Sequence, residues 1–365
     1  MEGFVLVNKQ LKSVILLFIA QFLVCWLLVD TPLWQVVLWI SAGVEWIIAQ
    51  AQTGIQFVFG DLVNGNIFFI NALLPIVFIS AIIGILQHFG ILNWIIKNVG
   101  GLFSKIFGVN KVVGVNAVCN MFLGQNESLF ITRTALKQSN NNTILATLVG
   151  GMTSISVALV GVYAGFGAKI EYIVVSMVLT ALGSMFFCQI FAPTDDDEDI
   201  ILDNDKKSNV IDTMFYYGMM GFKSVVGIAV ALMIFLSMIR LIDTFIPLNN
   251  ILTYLFLPFG WLLGGTQHAF DFAGLLATRL LTNEVVAFSL SSFTTLPEYY
   301  KAIATIALCG FAGIGSIGIL IGGYSAICPD KVKVVAKCGF KALLIATLTN
   351  IFSAFVLRVV FFFAG

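Results

Sequence analysis

Apolar runs of about twenty residues recur near 12–29, 66–86, 143–166, 170–192, 222–246, 300–326 and 334–363, each close to or beyond the length of a membrane-crossing helix. In hydrocarbon every backbone N–H and C=O must be paired within the protein, which leaves helices and closed barrels. The period-2 alternation of barrel strands is absent, so the chain reads as an all-α polytopic membrane protein. Composition agrees: 59% of the 365 residues are hydrophobic and 10% are charged, against about 25% charged in a soluble domain.

Net charge is zero, which gives no handle for nucleic acid. The six cysteines, Cys25, Cys119, Cys188, Cys309, Cys328 and Cys338, form no CxxC pair and no metal spacing with His88 or His268; they read as small apolar packing residues. Lys9 and Lys12 flank the first run without a cleavage site after it, which predicts a retained helix with a cytoplasmic N-terminus. Segment 34–60, with three tryptophans, suits a helix at the membrane interface or one packed inside the bundle. Lys97, Lys105 and Lys111 mark 93–111 as a surface-lying connection on the cytoplasmic side. The acidic stretch 193–212 reads as a solvated linker. The expected organisation is a scaffold region 1–111, a first transport unit 112–192, the linker, and a second unit 213–365.

The parts on either side of the linker read alike. NMFLGQNES (120–128) precedes LVGGMTSISVALVG (148–161), and TNEVVAF (282–288) precedes LCGFAGIGSIGILIGG (308–323). Glu127 lies 27 positions before Ser154, and Glu284 lies 32 before Ser316. Interrupted apolar segments at matching places in two halves point to a transporter's binding site. Irregular backbone at membrane depth persists only inside protein or along a cavity.

Segments 112–123 and 126–137 are each too short to cross a bilayer; back to back, with Gly124 at the tip, they predict a re-entrant hairpin. Gln125 and Asn126 bring donors and carbonyl acceptors, and Glu127 brings acceptors. That set fits the edge of a planar heterocycle, while hydrogen bonding between helices is the other use of such amides. Asn283 and Glu284 repeat the pattern with no cation adjacent (Arg279 lies five residues earlier), which points to a hydrogen-bonding solute or a cation as partner. Ser154 and Ser316, set among glycines, offer hard oxygens for Na⁺ at unwound helix ends, or else mark close helix packing. Three other patterns carry no chemistry. GIGSIG (313–318) lies inside an apolar span, the glycosylation triplet Asn126–Ser128 lies in the hairpin tip, and His268 with Asp271 has no nucleophile at a matching spacing. No catalytic constellation is present, so an enzyme is not expected.

Taken together, GQNES after NMFL, TNEVVAF and LCGFAGIGSIGILIGG resemble the concentrative nucleoside transporter family, whose usual forms are GQTEAPL, NEFVAY and CGFANxSSI. The resemblance is colinear from about residue 12 to the C-terminus. It implies an inverted-repeat transporter with two re-entrant helical hairpins and two broken transmembrane helices, a homotrimer in the cytoplasmic (inner) membrane, driving nucleoside uptake on a Na⁺ or H⁺ gradient. By position it implies Gln125, Asn126 and Glu127 at the nucleobase with Leu159 packing on it, Glu284 at the ribose hydroxyls, Ser316 nearby and Phe311 lining the pocket. It further implies a Na⁺ site of the Asn120 and Ser154 side chains with the carbonyls of Leu123, Ser154 and Ile155. Both side chains are retained, which favours Na⁺ over H⁺; no other cofactor is implied. It also implies that a first helix carried by many bacterial members is missing, with the N-terminus inside.

The chain departs from the family at Asn126 (Thr), Ser128-Leu129 (Ala-Pro), Val285 (Phe) and Gly313, where the family has its ribose-contacting Asn. Losing one partner of a buried hydrogen bond costs about 1–3 kcal/mol, so altered specificity is expected, and if this departure is what changed it, Gly313→Asn should recover nucleoside transport. The leading expectation is a Na⁺-coupled nucleoside symporter working by alternating access. The alternatives are the same fold carrying a free nucleobase or another heterocyclic metabolite, and an uncoupled binding or gating protein.

Overall fold

The computed structural model describes residues 2–65, 67–194, 202 and 209–364, and every regular element among them is helical. The expected linker falls largely outside the described residues, and its last three residues already belong to a helix. Among the described residues six helical stretches are long and apolar enough to cross a membrane.

Helices α1 (Glu2–Val29) and α2 (Trp34–Phe59) open the chain. On α2, Trp39 and Trp46 are 71% and 66% exposed while Val37, Ser41, Ala51 and Ile55 are buried, so this helix packs on the bundle by one face. Helix α4 (Ile91–Phe107) buries Leu92, Ile96, Gly100 and Ser104 along one stripe and exposes Trp94 and Lys97, the pattern of a surface-lying helix. Helices α3 (Pro75–His88) and α10 (Val210–Asp243) pack along each other. Their approach is close because Gly221 faces Ser80, where a β-carbon would lie 2.6 Å from the hydroxyl. Small residues are the usual solution in lipid, which supplies no hydrophobic drive between helices.

The first hairpin is α5 (Lys111–Phe122) and α6 (Gln125–Gln138), reversing at Leu123–Gly124. Asn110 starts it by accepting from the N–H of Val112 at 2.7 Å, an ordinary N-cap. The first broken span follows as α7 (Asn141–Thr153) and α8 (Val160–Gly165), separated by non-helical Ser154–Ser156, and α9 (Ile170–Phe191) closes the half.

The second half has the same order. Helix α11 (Leu248–Leu281) doubles back at Gly265 (φ 63°, ψ −162°), a region essentially restricted to glycine. Arg358 donates to Trp261 O at 3.1 Å and to Leu262 O, satisfying carbonyls orphaned where the first limb ends. After the turn at Thr282–Asn283 come α12 (Glu284–Ser289), α13 (Ser291–Thr294), α14 (Glu298–Leu308), α15 (Ile314–Ile327) and α16 (Val332–Ala364). The apolar run 300–326 is therefore two helices interrupted at Cys309–Gly313.

The two breaks meet against α16. Asn350 is fully buried, and its Nδ2 donates to Thr153 O at 2.8 Å and to Cys309 O at 2.9 Å. One amide thus serves an orphan carbonyl from each broken span. Outside the apolar spans, Lys169 and Glu298 pair at 3.1 Å between the starts of α9 and α14. The hydrogen bond from Lys169 holds the Glu298 carboxyl below its ordinary range, although solvent screens so exposed a pair. All six cysteines are unbridged and five are buried, in keeping with packing roles.

Candidate functional site

A cavity of about 510 Å³ opens between the two hairpin turns, the two breaks, and a wall formed by α3 and α10. Of the expected solute residues, Gln125, Asn126, Glu127, Leu159, Glu284, Phe311 and Ser316 line it. Their convergence follows from local structure, since α6, α12 and α15 all begin at the cavity. Glu127 and Glu284 stand in the first turns of α6 and α12, where the positive helix end favours a carboxylate. The Glu127 carboxylate folds back over Gly124, leaving no room there for a β-carbon. Gln125 Oε1 and Asn126 Oδ1 are buried acceptors without a hydrogen-bond partner.

Glu284 is held more firmly. Tyr163 Oη donates to its Oε1 at 3.1 Å, and the Tyr163 ring stacks on Phe288 at 4.7 Å. Arg279 interacts electrostatically with it, although the two are five positions apart along a helix end. The turn at Thr282–Asn283 brings Glu284 back toward the limb that carries Arg279. The partner expected to be solute or cation is thus supplied in part by the protein.

The residues expected at a cation belong to the first hairpin, Asn120 and Leu123, and to the first break, Ser154 and Ile155. Asn120, Leu123, Ser154 and Ile155 are all buried. Leu123 and Ser154 terminate α5 and α7, so two negative helix ends converge on neighbouring oxygens. Asn120 Nδ2 donates to Asn116 O and Oδ1, both at 2.9 Å, which turns its Oδ1 the other way. That Oδ1 accepts from Ser128 Oγ at 2.8 Å. Ser154 Oγ donates to Gly150 O at 2.9 Å and keeps its lone pairs. Neutral carbonyl and hydroxyl oxygens at unwound helix ends fit an alkali cation.

Residues 172–357 match the family described as Na⁺ dependent nucleoside transporter C-terminus, residues 8–62 its N-terminus, and residues 69–170 the Gate family, described as nucleoside recognition. The chain belongs to the Na⁺-dependent nucleoside transporter family. It is a membrane transporter and not an enzyme. A transporter of Haemophilus influenzae is 32% identical over 338 residues, covering 84% of this chain and 81% of that one. The purine nucleoside transport protein NupG of Bacillus subtilis is 29% identical over 368 residues, covering 95% and 92%. The structure of CNTnw in an inward-facing substrate-bound state superposes with a TM-score of 0.89 at 27% identity, covering 96% of this chain and 92% of that chain. The inverted-repeat fold with two hairpins and two broken helices is thereby established.

In this transporter Gly313 stands apart from the other expected solute residues: it does not line the cavity. A β-carbon there would lie 2.7 Å from Thr282 O and 3.0 Å from Arg279 O. Backbone carbonyls cannot swing aside as side chains do, so the position is closed by the α11–α12 turn. The expected restoration of nucleoside transport by Gly313→Asn therefore meets a steric obstacle. Both Gly313→Ala and Gly313→Asn are expected to destabilise by about 1–3 kcal/mol, with no gain in nucleoside uptake; thermal unfolding and uptake of each variant check this.

Four residues of the transporter escaped the sequence reading. Tyr163 is an unremarkable tyrosine until the fold sets it against Glu284. Asn350 and Lys223 do carry a signal, one a primary amide and the other an ammonium inside an otherwise mostly apolar helix. A lysine at a helix centre costs about 2.5–3.5 kcal/mol to insert, so such a residue is functional by default. Arg279 is fully buried with Nε and Nη2 unpaired and donates through Nη1 to Ala307 O; linear distance from Glu284 hid its role.

Proposed function

We propose that the chain is a secondary active symporter of the cytoplasmic membrane. It imports nucleosides or closely related heterocycles by alternating access on a Na⁺ gradient, as a homotrimer. The observation that carries this reading is the single cavity shared by both hairpin turns and both helix breaks. Amide and carboxylate groups at one site, next to buried neutral oxygens at another, are what coupling a heterocycle to a cation requires. In the proposed roles Gln125, Asn126 and Glu127 meet the base, Leu159 and Phe311 pack on it, and Glu284 with Ser316 meets sugar hydroxyls. Cation held by Asn120 and Ser154 with the Leu123, Ser154 and Ile155 carbonyls fixes the first hairpin tip, preparing Gln125–Glu127 for solute. The closed position at Gly313 supports a second reading, in which the solute carries little or no ribose. Uptake of labelled uridine, adenosine and free bases into proteoliposomes, with and without a Na⁺ gradient, decides between them. Na⁺-driven uptake of bases alone would favour the second reading, and uptake indifferent to Na⁺ would remove the coupling.

Ser128 belongs to this proposal. Its hydroxyl has two acceptors, Asn120 Oδ1 at 2.8 Å and Gln125 O at 3.1 Å, but one proton. Turning that proton to Gln125 frees Asn120 Oδ1 and presents the Ser128 oxygen to the cation. Ser128→Ala is therefore expected to weaken Na⁺ binding about tenfold. The stabilisation of the purified protein by Na⁺ over K⁺ reads this directly, and an unchanged Na⁺ titration would exclude Ser128 from the site.

A further inference from the structure

The cavity wall facing the hairpins is supplied largely by α10, from Tyr217 to Ile228, with Met220, Gly221, Lys223, Ser224 and Gly227 among the residues between. Their spacing of three and four marks one helix face. Lys223 is the cation of a lining whose other charged groups are Glu127 and Glu284. Helix α10 has 34 residues, about 51 Å, which puts Lys223 about 20 Å from its first residue and about 30 Å from its last. With the helix centred on a hydrocarbon layer about 30 Å thick, Lys223 falls within about 6 Å of the midplane, the depth at which transporters hold their solutes. Among the described residues it has neither an ion pair nor a hydrogen bond.

We propose that Lys223 is a specificity-determining residue that recognises a negatively charged group on the transported solute: a nucleoside-type heterocycle bearing a carboxylate or an ionised ring oxygen. This rests on the symporter reading above. The charges around the loaded cavity make the case. Arg279 acts electrostatically on Glu284, and in the symporter reading one monovalent cation offsets Glu127. Lys223 is left over. Lys223 is exposed to the open cavity in this structure; closing that cavity on a neutral solute takes an unpaired ammonium out of water, whereas an anionic solute gives it a partner, and buried charges persist where they are paired.

The test uses the full-length protein, purified with Na⁺ present, and calorimetric binding of matched pairs. Uridine against uridine 5′-carboxylate places the charge on the sugar; inosine against xanthosine, at a pH where xanthosine is ionised, places it on the base. At least one anionic member is expected to bind about tenfold or more tightly than its neutral parent. Lys223→Gln is expected to bring that ratio near one, and Lys223→Arg to keep it. Neutral parents binding as well as the anionic members in the unaltered protein would overturn the proposal, whether or not the variants fold. So would a preference for the anion that survives Lys223→Gln, or a Lys223→Gln protein whose sole change is tighter binding of the neutral parents, which would make the lysine an internal counter-charge. Binding of neutral nucleosides without an anionic preference removes this inference alone, while failure of every compound also removes the symporter reading.

Discussion

Asn350→Ala is expected to lower the unfolding temperature by roughly 5 °C or more and to cut uptake more than tenfold. The Asn350 amide is the shared donor for Thr153 O and Cys309 O, the carbonyls at which the two spans break. Each buried carbonyl left unpaired costs about 1–3 kcal/mol, and both are lost together. Transport suffers beyond stability, because Ser154 at the proposed cation position directly follows Thr153 and Phe311 at the cavity lies two residues after Cys309. Asn350→Asp sharpens the test. It keeps the shape but turns donors into acceptors, setting an oxygen against each carbonyl, and is expected to be worse than alanine. Thermal unfolding and uptake measured on both variants check the ordering; an aspartate variant as stable as the parent would show that the amide does not bridge the breaks.

Glu284→Gln is expected to lower solute affinity about a hundredfold. Hydrogen bonds to a charged group contribute about 1.5–3 kcal/mol each, and the carboxylate is proposed to accept from the solute while it accepts from Tyr163 at 3.1 Å. The substitution also leaves Arg279, fully buried, without its countercharge. Tyr163→Phe removes one donor and keeps the stack on Phe288, so about a tenfold loss is expected. The double variant should fall short of the product of the two losses, because residues in one network couple by about 0.5–3 kcal/mol. Calorimetric binding to the three variants measures the coupling, and strict additivity would mean that Tyr163 does not act through Glu284.

Much of the fold was legible because membrane depth penalises ambiguity. A glycine-marked interruption between two short apolar segments has few solutions in lipid, and Leu123–Gly124 turns within one residue of where Gly124 predicted it. The same constraint exposed Glu127 and Glu284, since a carboxylate in an apolar run stands out. At Gly313 the residue's chemistry, a missing amide, was visible in the sequence while its surroundings were not. Thr282 O and Arg279 O, which close the position, belong to backbone some thirty residues away in sequence.

The sequence by itself determined that this chain is a helical membrane protein with two interrupted repeats and a polar tip in each, because hydropathy and breaks are properties of consecutive residues. The tertiary structure alone decided which polar groups meet. It set Tyr163 and Arg279 at Glu284, Ser128 at Asn120, Asn350 across both breaks and Lys223 on the cavity wall. The physical reason is range. Insertion into lipid is decided segment by segment, while hydrogen bonds and charge pairs act over a few ångströms between segments that only packing brings together.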